Sequence, residues 1–192
     1  MSLPSVEEKF FIEIGTADFD TLEHLAEQGW KGIFVEPVKE LFDNLKRYEG
    51  CFYENCAVLD KMDTMTIQFY DPNWSEGWVR GVGSLDLDIN GFHANPQWEE
   101  HVTLREVSVV TLDYLIKKHN VKRIDYLKID IEGWDYKILD NYSWDIKPKK
   151  LLIEHKHWKA RGINFRQYIN LLRIMGYETS SDTENITAVL NE

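Results

Sequence analysis

IDYLKIDIEG, residues 124–133, is an apolar, β-branched run that ends in two carboxylates and a glycine, with a lysine just inside. A near-continuous apolar run suits the centre of a parallel sheet covered on both faces. Ligands of open α/β sheets bind outside the carboxyl ends of such strands, which puts Asp130 and Glu132 where chemistry is expected. The same carboxylates also suit the start of the following helix, WDYKILDNY, whose dipole favours negative charge. Lys128 lies on the Asp130 side of the alternation, and a buried lysine needs a partner. It either orients Asp130 or Glu132 or extends to water.

Upstream, FFIEI (10–14) reads as a strand followed by the small polar turn Gly15 to Asp20. Asp20 with Glu23 forms a capping box for a helix that Gly29 closes. GIFVE (32–36) is the second strand. Pro37 then opens an amphipathic helix carrying Val38, Leu41, Phe42 and Leu45. A third strand is expected within Cys51 to Leu59, and another at Met65 to Tyr70. This alternation predicts a mostly parallel sheet with right-handed crossovers and helices on both faces. Residues 71–104, rich in Gly and Trp, interrupt it as a long loop or insert. Such a segment is either a lid or binding loop, with Trp74, Trp78 and Trp98 stacking on an acceptor, or an aromatic cluster under a loop. Arg105 to Val110 returns to strand, and Thr111 caps a helix.

Downstream, KLLIEH (150–155) forms a further strand, and Asn164 with Gln167 caps a helix closed by Gly176. ITAVL (186–190) is the last strand, paired as an antiparallel hairpin with Tyr177 to Ser180. No repeat or linker divides the 192 residues, so a single domain over 1–192 is expected.

The composition is 43% hydrophobic, which suffices for a core, and the net charge of −11 disfavours nucleic acid or an anionic membrane as partner. Cys51 and Cys56 suggest neither a disulfide framework nor a zinc site. No apolar run reaches the roughly 18 residues of a membrane span. The expectation is a soluble cytoplasmic protein, with its oligomeric state left open.

Three strand tips carry polar signals for a nucleoside ligand. Gly15, directly after the first strand, lets the backbone approach a ligand, with Glu13, Thr16, Ala17 and Asp18 around it. Glu36 ends the second strand roughly 20 residues after Glu13, the spacing at which an acid meets ribose hydroxyls, and Pro37 follows it. Asn55, Cys56, Ala57 and Val58 can flank an adenine, or simply pack. Ala17 and Asp20 replace the glycines a dinucleotide fingerprint requires, and Asp18 and Asp20 repel phosphate. A cationic nucleoside without phosphates, such as S-adenosylmethionine, fits better.

FIEIGTADFDT, VEP, ENCAVLD, VTLDYLI, YLKIDIEGWDYKIL and LLIEH occur in the order and spacing of the FkbM-family methyltransferases, which the chain resembles over nearly its whole length. The most specific part is the Lys128-Asp130-Glu132-Gly133 strand end with Asp135 and Leu139 beyond it. The first motif departs from the family's usual Gly-Ala-Asn with a further glycine, reading Gly15-Thr16-Ala17-Asp18-Phe19. The resemblance implies a Rossmann-like class I methyltransferase fold. It also implies methyl transfer from S-adenosylmethionine, leaving S-adenosylhomocysteine, to a hydroxyl of a small molecule or sugar-containing acceptor. A weakly cofactor-binding module on the same fold is the alternative. Asp130 and His155 are the candidate bases, with Glu132 and Lys128 in support; Asp18 is placed to receive the ammonium of the methionine part. No metal ligands are assigned. A divalent cation on Asp130, Glu132, His155 and His157 is the less favoured variant.

Overall fold

The computed structural model describes residues 8–19, 22–74, 77–87 and 98–191, except for the side chains of residues 77 and 78. In chain order the elements are β1 (Phe10–Ile14), α1 (Glu23–Glu27), β2 (Lys31–Val35), α2 (Lys39–Asn44), β3 (Cys51–Glu54), β4 (Ala57–Val58) and β5 (Asp63–Tyr70). A 3-10 turn at Gly77–Gly81, β6 (Gly83–Ser84), another 3-10 turn at Glu99–His101 and β7 (Val102–Val110) follow. The chain continues through α3 (Leu112–Lys118), β8 (Tyr126–Ile129), α4 (Asp135–Asn141), β9 (Lys150–Glu154), α5 (Phe165–Ile174), β10 (Tyr177–Ser181) and β11 (Asn185–Leu190).

Seven strands make the main sheet, in the order β10-β11-β9-β8-β1-β2-β3. Pairings from β9 through β3 are parallel, whereas β11 runs antiparallel to both β9 and β10. Phe11, Ile12, Leu127, Ile129, Leu151 and Ile153 have no exposed surface, as central strands covered on both faces require. On one face Ile12, Ile14, Ile33 and Val35 meet Leu115 of α3, Ile138 and Leu139 of α4 and Leu172 of α5. On the other, Phe11 and Phe34 pack with Leu22 and Ala26 at α1 and Leu45 after α2. Each such side chain contributes roughly 1.5–3 kcal/mol by burial, so the sheet and its two helical layers form one cooperative frame for the strand tips.

The expected third strand is two strands. It breaks at Asn55-Cys56, and β4 leaves the main sheet to join a second one, ordered β4-β7-β5-β6. The strands at Met65 to Tyr70 and Arg105 to Val110 also belong there, paired antiparallel from Asp63↔Val109 to Tyr70↔Val102. Their inward face, Ile67, Phe69, Val107 and Val109, packs on Val38, Leu41, Ala57 and Leu59. The other face is open to solvent at Thr64, Glu106 and Ser108, where the segments alternate, and is covered at Gln68 and Tyr70, the latter packed on Val79.

Leu22 stands at the N-cap of α1, with no side-chain cap of its own. Asp20 lies outside the described residues, and the first N–H of the turn, that of Leu22, donates to Glu13 Oε2 at 2.9 Å. Thr111 does cap α3, accepting from the Tyr114 N–H at 3.1 Å. Asn164 caps α5, accepting from the Arg166 N–H at 3.1 Å. No helix among the described residues is long and apolar enough to cross a membrane.

Candidate active site

A cavity of about 530 Å³ opens at the carboxyl ends of β1, β2 and β8. Its first wall is the loop after β1. Gly15 adopts φ 79° and Ala17 φ 49°, and the Gly15 and Thr16 N–H groups both donate to the Val35 carbonyl. Ala17 turns its own N–H to Glu36 Oε2 at 2.8 Å. The other oxygen of Glu36 accepts from Val38 N–H at 2.8 Å. Burial pushes the Glu36 carboxyl up to about 7 in spite of those two donors.

Gly15, Thr16, Ala17, Glu36, Pro37, Cys56, Ala57 and Val58, all expected at the cofactor, line this cavity. Glu13, Asp18 and Asn55 do not. Glu13 points to the opposite face of β1, where it is wholly buried and pairs with Lys128 Nζ at 3.0 Å. Asp18 is held by Arg80, whose Nε and Nη2 donate to its two oxygens at 2.9 and 2.5 Å, and by Asn44. These donors keep the Asp18 carboxyl below its ordinary range although its partial burial opposes them. The Asn55 amide donates to the carbonyls of Glu36 and Pro37, at 2.8 and 3.1 Å, and so fixes the exit from β2.

The opposite wall is the tip of β8, with Lys128, Asp130, Ile131 and Glu132 on the cavity. The partner of Lys128 is Glu13, not Asp130 or Glu132 as the alternation suggested. Burial, and then the charge of Glu132, raise the Asp130 carboxyl to about 6. Glu132 stands in the left-handed region at φ 58°, unusual for a non-glycine residue. Its carbonyl accepts from Ser84 Oγ at 2.7 Å, and its carboxylate pairs with His157 Nε2 at 3.0 Å. Asp135 is fully buried behind the turn, accepting from the N–H groups of Ile131 and Gly133 at 2.9 and 3.1 Å. Burial pushes it up to about 7.

His155 does not reach the cavity. Its ring stacks on Phe165 with centroids 4.2 Å apart, and its Nε2 lies 3.2 Å from the Asp182 carbonyl. Glu154, the residue before it, does not line the cavity either, and lies beside Glu132 and His157. Burial and the charges of Glu132 and Asp130 push the Glu154 carboxyl far up.

Residues 12–179 match the FkbM methyltransferase domain. The chain belongs to the FkbM methyltransferase family. No curated protein and no solved structure matches it.

Several cavity residues of this methyltransferase-family chain carried no signal in the sequence. Ile67 of the second sheet and Gly81, Gly83 and Leu85 of residues 77–87 come onto the site beside Phe19 of the β1 loop, and Lys156 and Glu184 close it from the β9 side. A Cβ on Gly81 would come within 2.9 Å of the Phe19 ring, so glycine is what lets the insert reach the β1 loop. Arg161 also binds the buried Asp86 of this segment. Trp74 stacks on His101, 3.8 Å between centroids, and Trp98 meets Tyr70 edge-on. Neither lines the cavity, and the side chain of Trp78 lies outside the described residues.

Proposed function

We propose that this FkbM-family chain is an S-adenosylmethionine-dependent O-methyltransferase of the class I, Rossmann-like fold, acting as one domain on a hydroxyl of a small or saccharide-containing acceptor. The carrying observation is one cavity bounded by the Gly15 loop, the buried Glu36 and Cys56 to Val58 on one side and by Asp130 on the other. The order of the main sheet, with an antiparallel strand inserted beside β9, supports the fold reading.

The residues present fit the donor. Among the described residues four carboxylates, Glu36, Asp130, Glu132 and Glu184, line the cavity against two ammonium groups, both already paired, Lys128 with Glu13 and Lys156 with Glu184. Such a lining suits a cationic nucleoside and repels phosphates. Glu36 is placed for ribose hydroxyls, using oxygen lone pairs that its two N–H partners leave open. Cys56, Ala57, Val58 and Leu85 supply the apolar wall for a base. Asp18, tied to Arg80, is not free to take an ammonium group, so that part of the ligand falls to the Thr16–Ala17 turn and the acids beyond it.

When bound, S-adenosylmethionine supplies a methyl group on a cationic sulfur. The chain holds the acceptor oxygen in line with it, a positional contribution worth up to about 7–11 kcal/mol in well-oriented cases. Asp130, on the cavity wall, would take the proton of the acceptor hydroxyl as its oxygen accepts the methyl group. A carboxyl near 6 is mostly ionised at neutral pH and still a usable base, worth roughly 10²–10⁴-fold.

A non-catalytic module is the second reading. It draws on the two backbone N–H groups that already occupy both Glu36 oxygens. Calorimetry with S-adenosylhomocysteine separates the two. Binding in about the micromolar range is expected, and no heat up to millimolar ligand sinks the enzyme reading. With a panel of hydroxylated acceptors, Asp130→Asn should cut S-adenosylhomocysteine release roughly 10²-fold or more, while His155→Phe leaves it intact.

A further inference from the structure

Glu154 closes β9 with 8% of its surface exposed, and among the described residues its carboxylate makes no hydrogen bond or ion pair. A buried carboxylate without a partner is strongly disfavoured. What faces it is a second carboxylate and an imidazole: ligand atoms of Glu132, Glu154 and His157 all lie within 4.8 Å of one another. We propose that these three side chains hold a divalent metal ion at the tips of β8 and β9.

Glu132 and His157 already stand at the spacing of neighbouring ligands. Their 3.0 Å separation is that of adjacent corners of an octahedron with bonds of about 2.1 Å. Glu154 completes the set, with a carboxylate oxygen within 4.8 Å of both. The backbone of Glu132 is held at its unusual φ by the bond from Ser84, so the most cavity-ward ligand is also the most firmly oriented. Two oxygens and one imidazole nitrogen match Mn2+ best, with Mg2+ and Zn2+ as competitors. Three protein ligands leave positions open for water or substrate.

The ion would sit beside Glu132, which lines the cavity with Asp130. This placement rests on the methyl-transfer reading: there the metal would bind the acceptor oxygen and lower the pKa of its hydroxyl, easing the proton's passage to Asp130. It also accounts for Glu154, which that reading otherwise leaves unused.

The test is titration of the full chain with Mn2+, followed by electron paramagnetic resonance, without any methyl donor. One ion per chain is expected, bound more tightly than about 100 μM, and at least about tenfold more weakly in both Glu154→Gln and His157→Gln. Asp43→Asn, a remote exposed carboxylate, should bind as the parent does. His157 is partly exposed, with 21% of its side-chain surface open, so its variant decides the matter should Glu154→Gln fail to fold by circular dichroism. Absence of Mn2+, Mg2+ and Zn2+ binding up to about 1 mM, or binding unchanged in both variants, overturns the site and leaves a protonated Glu154 beside a simple ion pair. S-adenosylhomocysteine calorimetry on the parent is an independent arm: its failure with Mn2+ bound removes the methyl-transfer reading and leaves the metal site standing.

Discussion

Gly15 and Asp130 meet backbone to backbone. A Cβ on Gly15 would lie 1.7 Å from the Asp130 carbonyl oxygen and 2.8 Å from its carbonyl carbon, and the Asp130 N–H donates to the Ile14 carbonyl at 3.0 Å. The loop on one side of the cavity and the acid on the other are therefore a single rigid unit. Gly15→Ala adds left-handed strain of about 1–2 kcal/mol and a backbone overlap worth a further ~1–3 kcal/mol. Urea unfolding should show a loss of about 2–5 kcal/mol, with S-adenosylhomocysteine binding impaired in whatever folds. A loss below about 1 kcal/mol would mean that the two tips yield independently.

Arg80 and Asp18 join the 71–104 segment to the β1 loop. Both are largely shielded, with side-chain exposures of 28% and 9%, and the fork is bidentate, which strengthens a charged hydrogen bond. Asp18→Asn keeps the shape and removes the charge. Limited proteolysis should then cut within residues 71–104 severalfold faster, while unfolding of the main sheet shifts by only about 1–2 kcal/mol. Equal cleavage rates in parent and variant would show that other contacts carry the docking.

The main sheet was legible because its strands are of the kind that sequence describes well. Phe10 to Ile14, Gly32 to Val35, Tyr126 to Ile129 and Leu151 to Ile153 are short apolar runs buried on both faces. The Gly15 turn and the acids at Glu36 and Asp130 end three of them. The second sheet was not legible as separate, since alternation over Asp63–Tyr70 and Val102–Val110 states that one face is wet but not which sheet the strand joins. The tie of Asp18 to Arg80 was not legible because Arg80 comes from a glycine-rich stretch far along the chain. The choice between Glu154 and His155 depended on register: Ile129 opposite Ile153, and the His155 N–H bonded to the Glu184 carbonyl, turn the histidine away. Only tertiary pairing fixes either.

The buried carboxyls fix how stability follows pH. Burial raises Glu36 to about 7 from an ordinary 4.5 and Asp135 to about 7 from 3.8. The unfolded chain releases these protons first, so between roughly pH 4.5 and 7 the folded state binds more of them and stability falls as pH rises. Glu36 alone is worth about 3 kcal/mol over that window. Asp18 and Asp125, held below their ordinary range despite partial burial, act in the other direction only at lower pH. Unfolding in urea should therefore require more denaturant at pH 5 than at pH 8, and Glu36→Gln should flatten the difference. Greater stability at pH 8 would contradict the burial of these groups.

Lys128 and Glu13 present the sharper electrostatic case, because Glu13 has no exposed surface and Lys128 is its cation. Burial raises the Glu13 carboxyl even with Lys128 and the Leu22 N–H pulling it down, so the pair offsets desolvation only in part. Removing one partner leaves the other stranded, which typically costs about 3–5 kcal/mol, whereas replacing both is often nearly neutral. Lys128→Met should accordingly be much less stable than the parent, and Glu13→Gln combined with Lys128→Met should recover most of the loss, since the amide oxygen can still accept from Leu22. A double-mutant cycle from urea unfolding measures this. Additive losses across the cycle would show that the two residues act separately, and that Lys128 faces the cavity for a reason other than neutralising Glu13.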